Sequence, residues 1–426
     1  MKNIFKEIVY IMQNDYAGCE DKKGWDNPEF FLTKIESLEK ESKLTDETFT
    51  EVVEDYLIDF NDQHIFFTNL RAQKRGQTDV GFRVRRYEDK LYVTEVSEET
   101  RLETGIAFSS LGGLSIAELS KKHSRYLKES HPERENWNKI LQRYSNGELE
   151  DKDGTASTFS FSQFEKKPYQ PEYSVKNWRG TLWMTLTDFA DPDAILAMVE
   201  ANKTELENAE SWIIDVRSNR GGSDMSFYPL LPYLMPEEGV DLAADTGADM
   251  IFNTTEANAE RVQKMLAAQL DVTEAEESRI FLQIFQREWE KNKGKGFVTF
   301  DFSELLGDLF VKGMPSPRKI IVLTDDYCGS SGESFVEVCK KSSKVTVIGR
   351  PTMGLTDYGN LTCETWGESF KLWYPTSRLA RTDENYLPGS GIKPHVYIPW
   401  TPEHLVRDVD AEKALELLES GHLLGN

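Results

Sequence analysis

Between residues 175 and 400 the chain alternates short apolar strands with helices, and that alternation restricts it to an α/β sheet covered by helices. RGTLWMTLTDF, SWIIDVRS, PRKIIVLTD and KVTVIGR read as strands. The last three are β-branched and apolar almost throughout, the pattern of strands buried on both faces. ADPDAILAMVEANKTELENA reads as a helix capped by Asp191 with Pro192 at its first position, and SSGESFVEVCKKS as a second. Residues 254–293 break the alternation with helical periodicity and intermixed charge, and predict an inserted, solvated lid or partner surface.

The flanking segments follow other periods. Residues 1–75 predict a helical N-terminal domain: Thr45 or Asp46 can cap a helix in which Phe49, Val52, Val53, Tyr56, Leu57 and Phe60 recur at helical spacing. Residues 76–125 predict a β-rich module, with the strands of GFRVRRYEDKLYVTEV meeting at a polar turn and a helix beginning near Ser115. Residues 126–174 are polar and read as a linker region, with Asn146-Gly147 as a turn. The α/β core then runs over 175–426.

Charge and cysteine usage exclude several functions. Lysine and arginine number 50 and aspartate and glutamate 73, a formal charge of −23. Such a surface repels phosphate backbones and anionic lipid, so neither nucleic acid nor a membrane is expected as a partner. Cys19, Cys328, Cys339 and Cys363 form no CxxC pair, which gives no zinc spacing and no disulfide framework. The N-terminus lacks the apolar run and small-residue cleavage site of a leader. The expectation is a cytoplasmic protein, or a secreted or periplasmic one if a leader has been removed.

In open α/β sheets ligands bind beyond the carboxyl ends of the strands, so the loops there are the candidates for chemistry. Arg217 to Asp224 reads RSNRGGSD, where Gly221 and Gly222 let backbone N–H groups approach a developing oxyanion. Thr324 to Glu333 reads TDDYCGSSGE and places Ser330 at the junction of a buried strand and a helix, between small residues that permit a sharp bend. GRPTMGLTDYGN follows the next buried strand. Taken singly, these are also a tight turn, a helix cap and a plain loop. A serine nucleophile needs a base, and of six histidines His64, in FNDQHIFF, lies between apolar residues at the end of the N-terminal helix.

In order and spacing, IIDVRSNRGG, DDYCGSSGE, VIGRPTMG and GIKPHVYIP resemble the C-terminal processing (tail-specific) protease family, which includes the tricorn protease core and a retinoid-binding relative. The resemblance implies a crossover-connected protease core of the ClpP/crotonase-like kind, α+β overall. It also implies a PDZ-like module over 76–125, degenerate because the usual G-D-x-I is T-G-I-A here. It implies Ser330 as nucleophile, with Gly221, Gly222 and the Ser331 N–H as oxyanion donors. The processing proteases carry a lysine base after a glycine, but here Gly354 is followed by Leu355, which cannot accept a proton. Other branches, the tricorn core among them, use a histidine from the N-terminal side, which in many bacterial relatives lies in a D-G-H segment; Asp62-Gln63-His64 is similar to that segment, which makes His64 the expected base. By spacing, the third member falls on Pro388, which cannot serve, and Glu384, beside Asp383, is the candidate acid. The resemblance thus implies a serine peptidase acting on peptide or unfolded protein, with no metal or organic cofactor and with homo-oligomerisation left open. Its alternative is an inactive relative that binds a peptide or hydrophobic ligand.

Overall fold

A computed structural model describes residues 1–74, 77–127, 129, 131–150, 155–242, 250–273, 276–306, 310–380 and 389–420. The chain forms two units. The first comprises Met1–Arg75, Asp241–Val311 and Leu355–Gly389, and the second Gly76–Val240, Lys312–Gly354 and Ser390–Asn426.

The second unit contains the α/β sheet that the alternation predicts. Its strands run Tyr173–Trp178, Thr181–Leu186, Ser211–Asp215, Lys319–Thr324, Val345–Gly349 and Val396–Tyr397, and they are neighbours in that order. Only the first pair is antiparallel; from Thr181–Leu186 onward every pairing is parallel. Parallel neighbours need crossover connections, and the Pro192–Ala201 and Ser331–Lys340 helices lie in two of them. Asp191 caps the first through its side chain with Pro192 following, as the sequence predicts. Ile213, Ile321, Leu323 and Ile348 pack against Ala411 and Ala414 of the Val409–Ser420 helix, each large aliphatic contributing about 1.5–3 kcal/mol by burial. All the parallel strands present their carboxyl ends at one edge.

The same unit carries a second sheet of Phe82–Tyr87, Lys90–Val96, Ala107–Leu111, Asn146–Glu150 and Ala156–Ser160, with Leu114–Ser115 paired to its middle strand. Phe82, Val84, Leu91, Phe108 and Trp137 form its core. Two of its strands fall in the stretch expected to be a linker. Asn146-Gly147 is no turn but the start of a strand, because a Cβ on Gly147 would lie 2.7 Å from the Ser110 carbonyl oxygen. The glycine is there for a close backbone approach within the sheet.

In the first unit, Phe66–Asn69 pairs antiparallel with Phe370–Leu379, which also pairs with Tyr358–Trp366 and with Met250–Asn253. The N-terminal helices therefore do not stand alone. Phe5, Phe31, Phe49, Tyr56 and Phe60 share one core with Phe370, Leu372 and Tyr374 from far along the chain. The capping residue of the Asp46–Leu57 helix is Thr45. The predicted solvated insertion is two helices, Glu256–Val272 and Glu276–Asn292, with a buried seam of Val262, Leu266, Phe285 and Trp289 packed on Phe252 and Phe300. Its charges are one face of an amphipathic pair, and the other face belongs to the core.

Behind the carboxyl edge of the α/β sheet lies a buried ionic network. Arg85 is bidentate to Asp325 at 2.8 and 3.0 Å, and Arg350 joins Asp325 at 2.7 Å to Asp410 at 2.6 Å. Burial opposes ionisation of Asp325, but the Arg85 and Arg350 charges outweigh it and hold the carboxyl well below the usual range. Burial likewise opposes ionisation of Asp410, and its bonds to His404 and Arg350 reverse that. Depressed folded values mean that the unfolded chain takes up these protons first as pH falls. The stabilisation is complete above about pH 4, the unfolded carboxylate value, and is lost progressively below it. Asp326, pushed upward by burial and by Asp325, acts in the opposite sense, since there the folded state takes up the proton first. The melting temperature is expected to fall steeply below that pH. An acid limb no steeper than that of a variant lacking both Asp325 and Asp410 would contradict this.

Candidate active site

Ser330 occupies the N-cap position of the Ser331–Lys340 helix, half-buried, with φ 55 and ψ −125. A capping serine normally has extended dihedrals. This conformation is sparsely populated for any residue with a Cβ and costs about 1–3 kcal/mol, so surrounding structure must hold it. Glu333 does so. Its carboxylate accepts the Ser330 N–H at 3.2 Å, and its own N–H donates to the Ser330 carbonyl at 2.7 Å. Glu333 is fully buried, and its other oxygen accepts the Thr352 hydroxyl and the Gly354 N–H, both at 2.6 Å. One carboxylate thus ties the serine loop to the loop after Val345–Gly349. The S-x-x-E capping pattern was the signal for it in the sequence.

Asn219, fully buried, organises the glycine loop. Its side-chain amide donates to the Leu186 carbonyl at 3.0 Å and accepts the Gly221 N–H at 2.9 Å, while its backbone carbonyl accepts the Gly329 N–H at 2.9 Å. Sequence reasoning missed this residue, since an asparagine beside two glycines reads as turn chemistry. The bond also corrects the expectation for Gly221, whose N–H is committed to Asn219 and is not available to an oxyanion. Its contribution is space: a Cβ there would stand 2.7 Å from the Ser330 Cβ, and its φ is +77. Gly221→Ala is therefore expected to cost at least about 1 kcal/mol of stability through backbone strain and contact, and to displace Ser330. Thermal melting and turnover of that variant check this; wild-type values for both would contradict it.

The other two expected donors are the N–H groups of Gly222 and Ser331. Gly222 bridges Phe189 in parallel fashion, with Phe189 donating to the Gly221 carbonyl and Ser223 to the Phe189 carbonyl. That leaves the N–H of exposed Gly222 turned to the other side. Ser331 is the first residue of its helix, where an N–H has no partner within the helix and carries the positive end of the helix dipole.

His64 belongs to the first unit, in the turn before Phe66–Asn69, and is half-buried. Its Nδ1 lies 2.7 Å from the Tyr358 carbonyl oxygen. A carbonyl only accepts, so in the neutral ring Nδ1 carries the hydrogen and Nε2 the lone pair. Asp62 accepts the His64 N–H at 2.8 Å and the Tyr16 hydroxyl at 2.7 Å, which fixes the turn. Tyr358 as the ring's orienting partner was not legible in the sequence, because a backbone carbonyl has no residue signature. Glu384, Asp383 and Pro388 lie outside the described residues.

A family model described as Peptidase family S41 matches residues 181–398. No curated protein sequence matches the chain. Among solved structures, mature CPAF complexed with lactacystin is 12% identical with a TM-score of 0.68, over 99% of this chain and 97% of that one. Mature CPAF alone is also 12% identical, with a TM-score of 0.66 over 99% and 98%. The photosystem II D1 C-terminal processing protease is 13% identical, with a TM-score of 0.47 over 98% and 97%.

Proposed function

Because the chain belongs to peptidase family S41 and is a serine-type peptidase, we propose that it hydrolyses peptide bonds through an acyl-enzyme on Ser330, with His64 as general base. The observation that carries this reading is the backbone of Ser330, held at φ 55 by a buried glutamate above a glycine that leaves it room. Strain of that kind at a strand-to-helix turn serves a nucleophile and is needless for a cap.

In the proposed reaction the Nε2 lone pair of His64 takes the Ser330 proton as the oxygen attacks the substrate carbonyl. The Gly222 and Ser331 N–H groups stabilise the oxyanion. The imidazolium gives its proton to the leaving amine, and water, deprotonated by the same nitrogen, releases the acyl group. The Tyr358 carbonyl holds the ring in the required tautomer, and Glu384 is the candidate for a further acid. The substrates are peptides or unfolded proteins. The β-rich module over 76–125 is a candidate PDZ-like module. The replacement of a lysine by Leu355 favours the second reading, a non-catalytic ligand-binding protein on the same fold. Incubation of the purified protein with reduced, unfolded casein separates the two. Fragments from the wild type and none from Ser330→Ala support the peptidase; intact casein with both supports the binding protein.

A further inference from the structure

The oxyanion loop runs directly into the short Asp224–Leu230 helix, which buries Ser226, Phe227 and Leu230. Phe227 is buried with its ring 5.4 Å from Phe189 and 5.5 Å from Phe335 of the Ser331–Lys340 helix. The Ser223 hydroxyl accepts the Met225 N–H at 3.3 Å, and the Ser226 hydroxyl donates to the Phe189 carbonyl at 2.7 Å. On this support stand two exposed side chains that packing does not require, Asp224 and Tyr228. Burial pushes the Asp224 carboxyl upward, and the hydroxyls of Ser331 and Ser334, on the nucleophile's own helix, act against it. Among the described residues no lysine or arginine is among the groups that shift it. The nearest cation in sequence, Arg220, is stacked on the Tyr169 ring at 3.7 Å.

We infer that Asp224 and Tyr228 form a substrate subsite that takes a lysine or arginine side chain flanking the scissile bond. The inference rests on the reading of Ser330 as nucleophile. A carbonyl oxygen held by Gly222 and Ser331 brings the flanking residues close to Asp224, two residues beyond Gly222 and so at most about 7 Å along the chain. A lysine or arginine stem spans that distance, lays its methylenes on the Tyr228 ring and delivers its charge to the carboxylate. The protein's charge of −23 draws cationic segments toward the surface in the first place.

The test is a pair of quenched-fluorescence peptides that differ only in lysine or glutamate at each position flanking the cleaved bond, read as a ratio of kcat/KM. The wild type is expected to favour lysine at one of these positions by about tenfold or more, the scale of one charge-assisted contact. Asp224→Asn is expected to abolish that preference, and Asp224→Lys to reverse it. Cleavage with no charge preference, or a preference that survives Asp224→Asn, would overturn the subsite while leaving the peptidase reading intact. If neither peptide is cut, the peptidase reading fails, and the subsite is then decided by binding of the same peptides to Ser330→Ala. Tighter binding of the lysine peptide, lost on adding Asp224→Asn, supports it, and equal binding overturns it.

Discussion

Ser330→Ala is expected to lower turnover of an unfolded protein substrate by about four orders of magnitude or more while leaving the melting temperature close to that of the wild type. The two parts of this expectation have separate causes. The hydroxyl is the attacking group, so removing it removes the acyl-enzyme route. The backbone keeps its φ of 55 because Glu333 still accepts the residue-330 N–H, so an alanine inherits the strain and the fold is little changed. Ser330→Gly adds a control that a simple helix cap would not pass. Glycine adopts this conformation without a Cβ penalty, and relief of strain should make it more stable than Ser330→Ala by about 1 kcal/mol, equally inactive. A cap behaves otherwise: its loss to alanine costs about 1 kcal/mol and leaves chemistry untouched. Retained turnover in Ser330→Ala would remove the nucleophile from the account.

His64→Ala carries the second large effect. Members of a catalytic unit fail together, so the single variant should lose about as much turnover as Ser330→Ala, with KM little altered, and the double variant no more than either single one. The stability cost should be about 1 kcal/mol, the worth of the lost Nδ1 bond to the Tyr358 carbonyl. The double variant is the informative sample. If His64 served only the turn built on Asp62, the two substitutions would not be coupled in kcat. Turnover of His64→Ala within a few-fold of the wild type would return it to a structural role.

How far the sequence foretold this arrangement depends on the range of each interaction. The buried parallel strands were legible because Ile213, Ile214, Ile321, Val322, Val347 and Ile348 write a continuous β-branched signal that needs no partner to be read. The serine loop was legible for a similar local reason, its small residues falling at a strand end. Capping by Thr45, Ser115 and Asp191 is local too, and each is the residue at its helix start. The pairing of Phe66 with Trp373 was not legible, because nothing near either residue announces a partner 307 positions away (373 − 66). For the same reason the N-terminal helices read as a separate domain, although their core includes Phe370 and Leu372. The Glu256–Val272 and Glu276–Asn292 helices read as solvated because charge dominates their composition, and only the sheet beneath shows where Phe285 and Trp289 go. At the site, the roles that escaped are those of hydrogen bonds to backbone: Asn219 to the two loops, and the Tyr358 carbonyl to His64.

The central claim is an activated serine at position 330 with His64 as its base, and the most direct measurement is covalent labelling. The purified protein is incubated with a fluorophosphonate, digested, and the modified peptide located by mass spectrometry, with labelling rates compared between the wild type and His64→Ala. The account predicts one adduct, on Ser330, forming at least about a hundredfold more slowly without the imidazole, the lower end of what general-base assistance contributes. No adduct on Ser330, or an adduct that forms equally fast in His64→Ala, would contradict it.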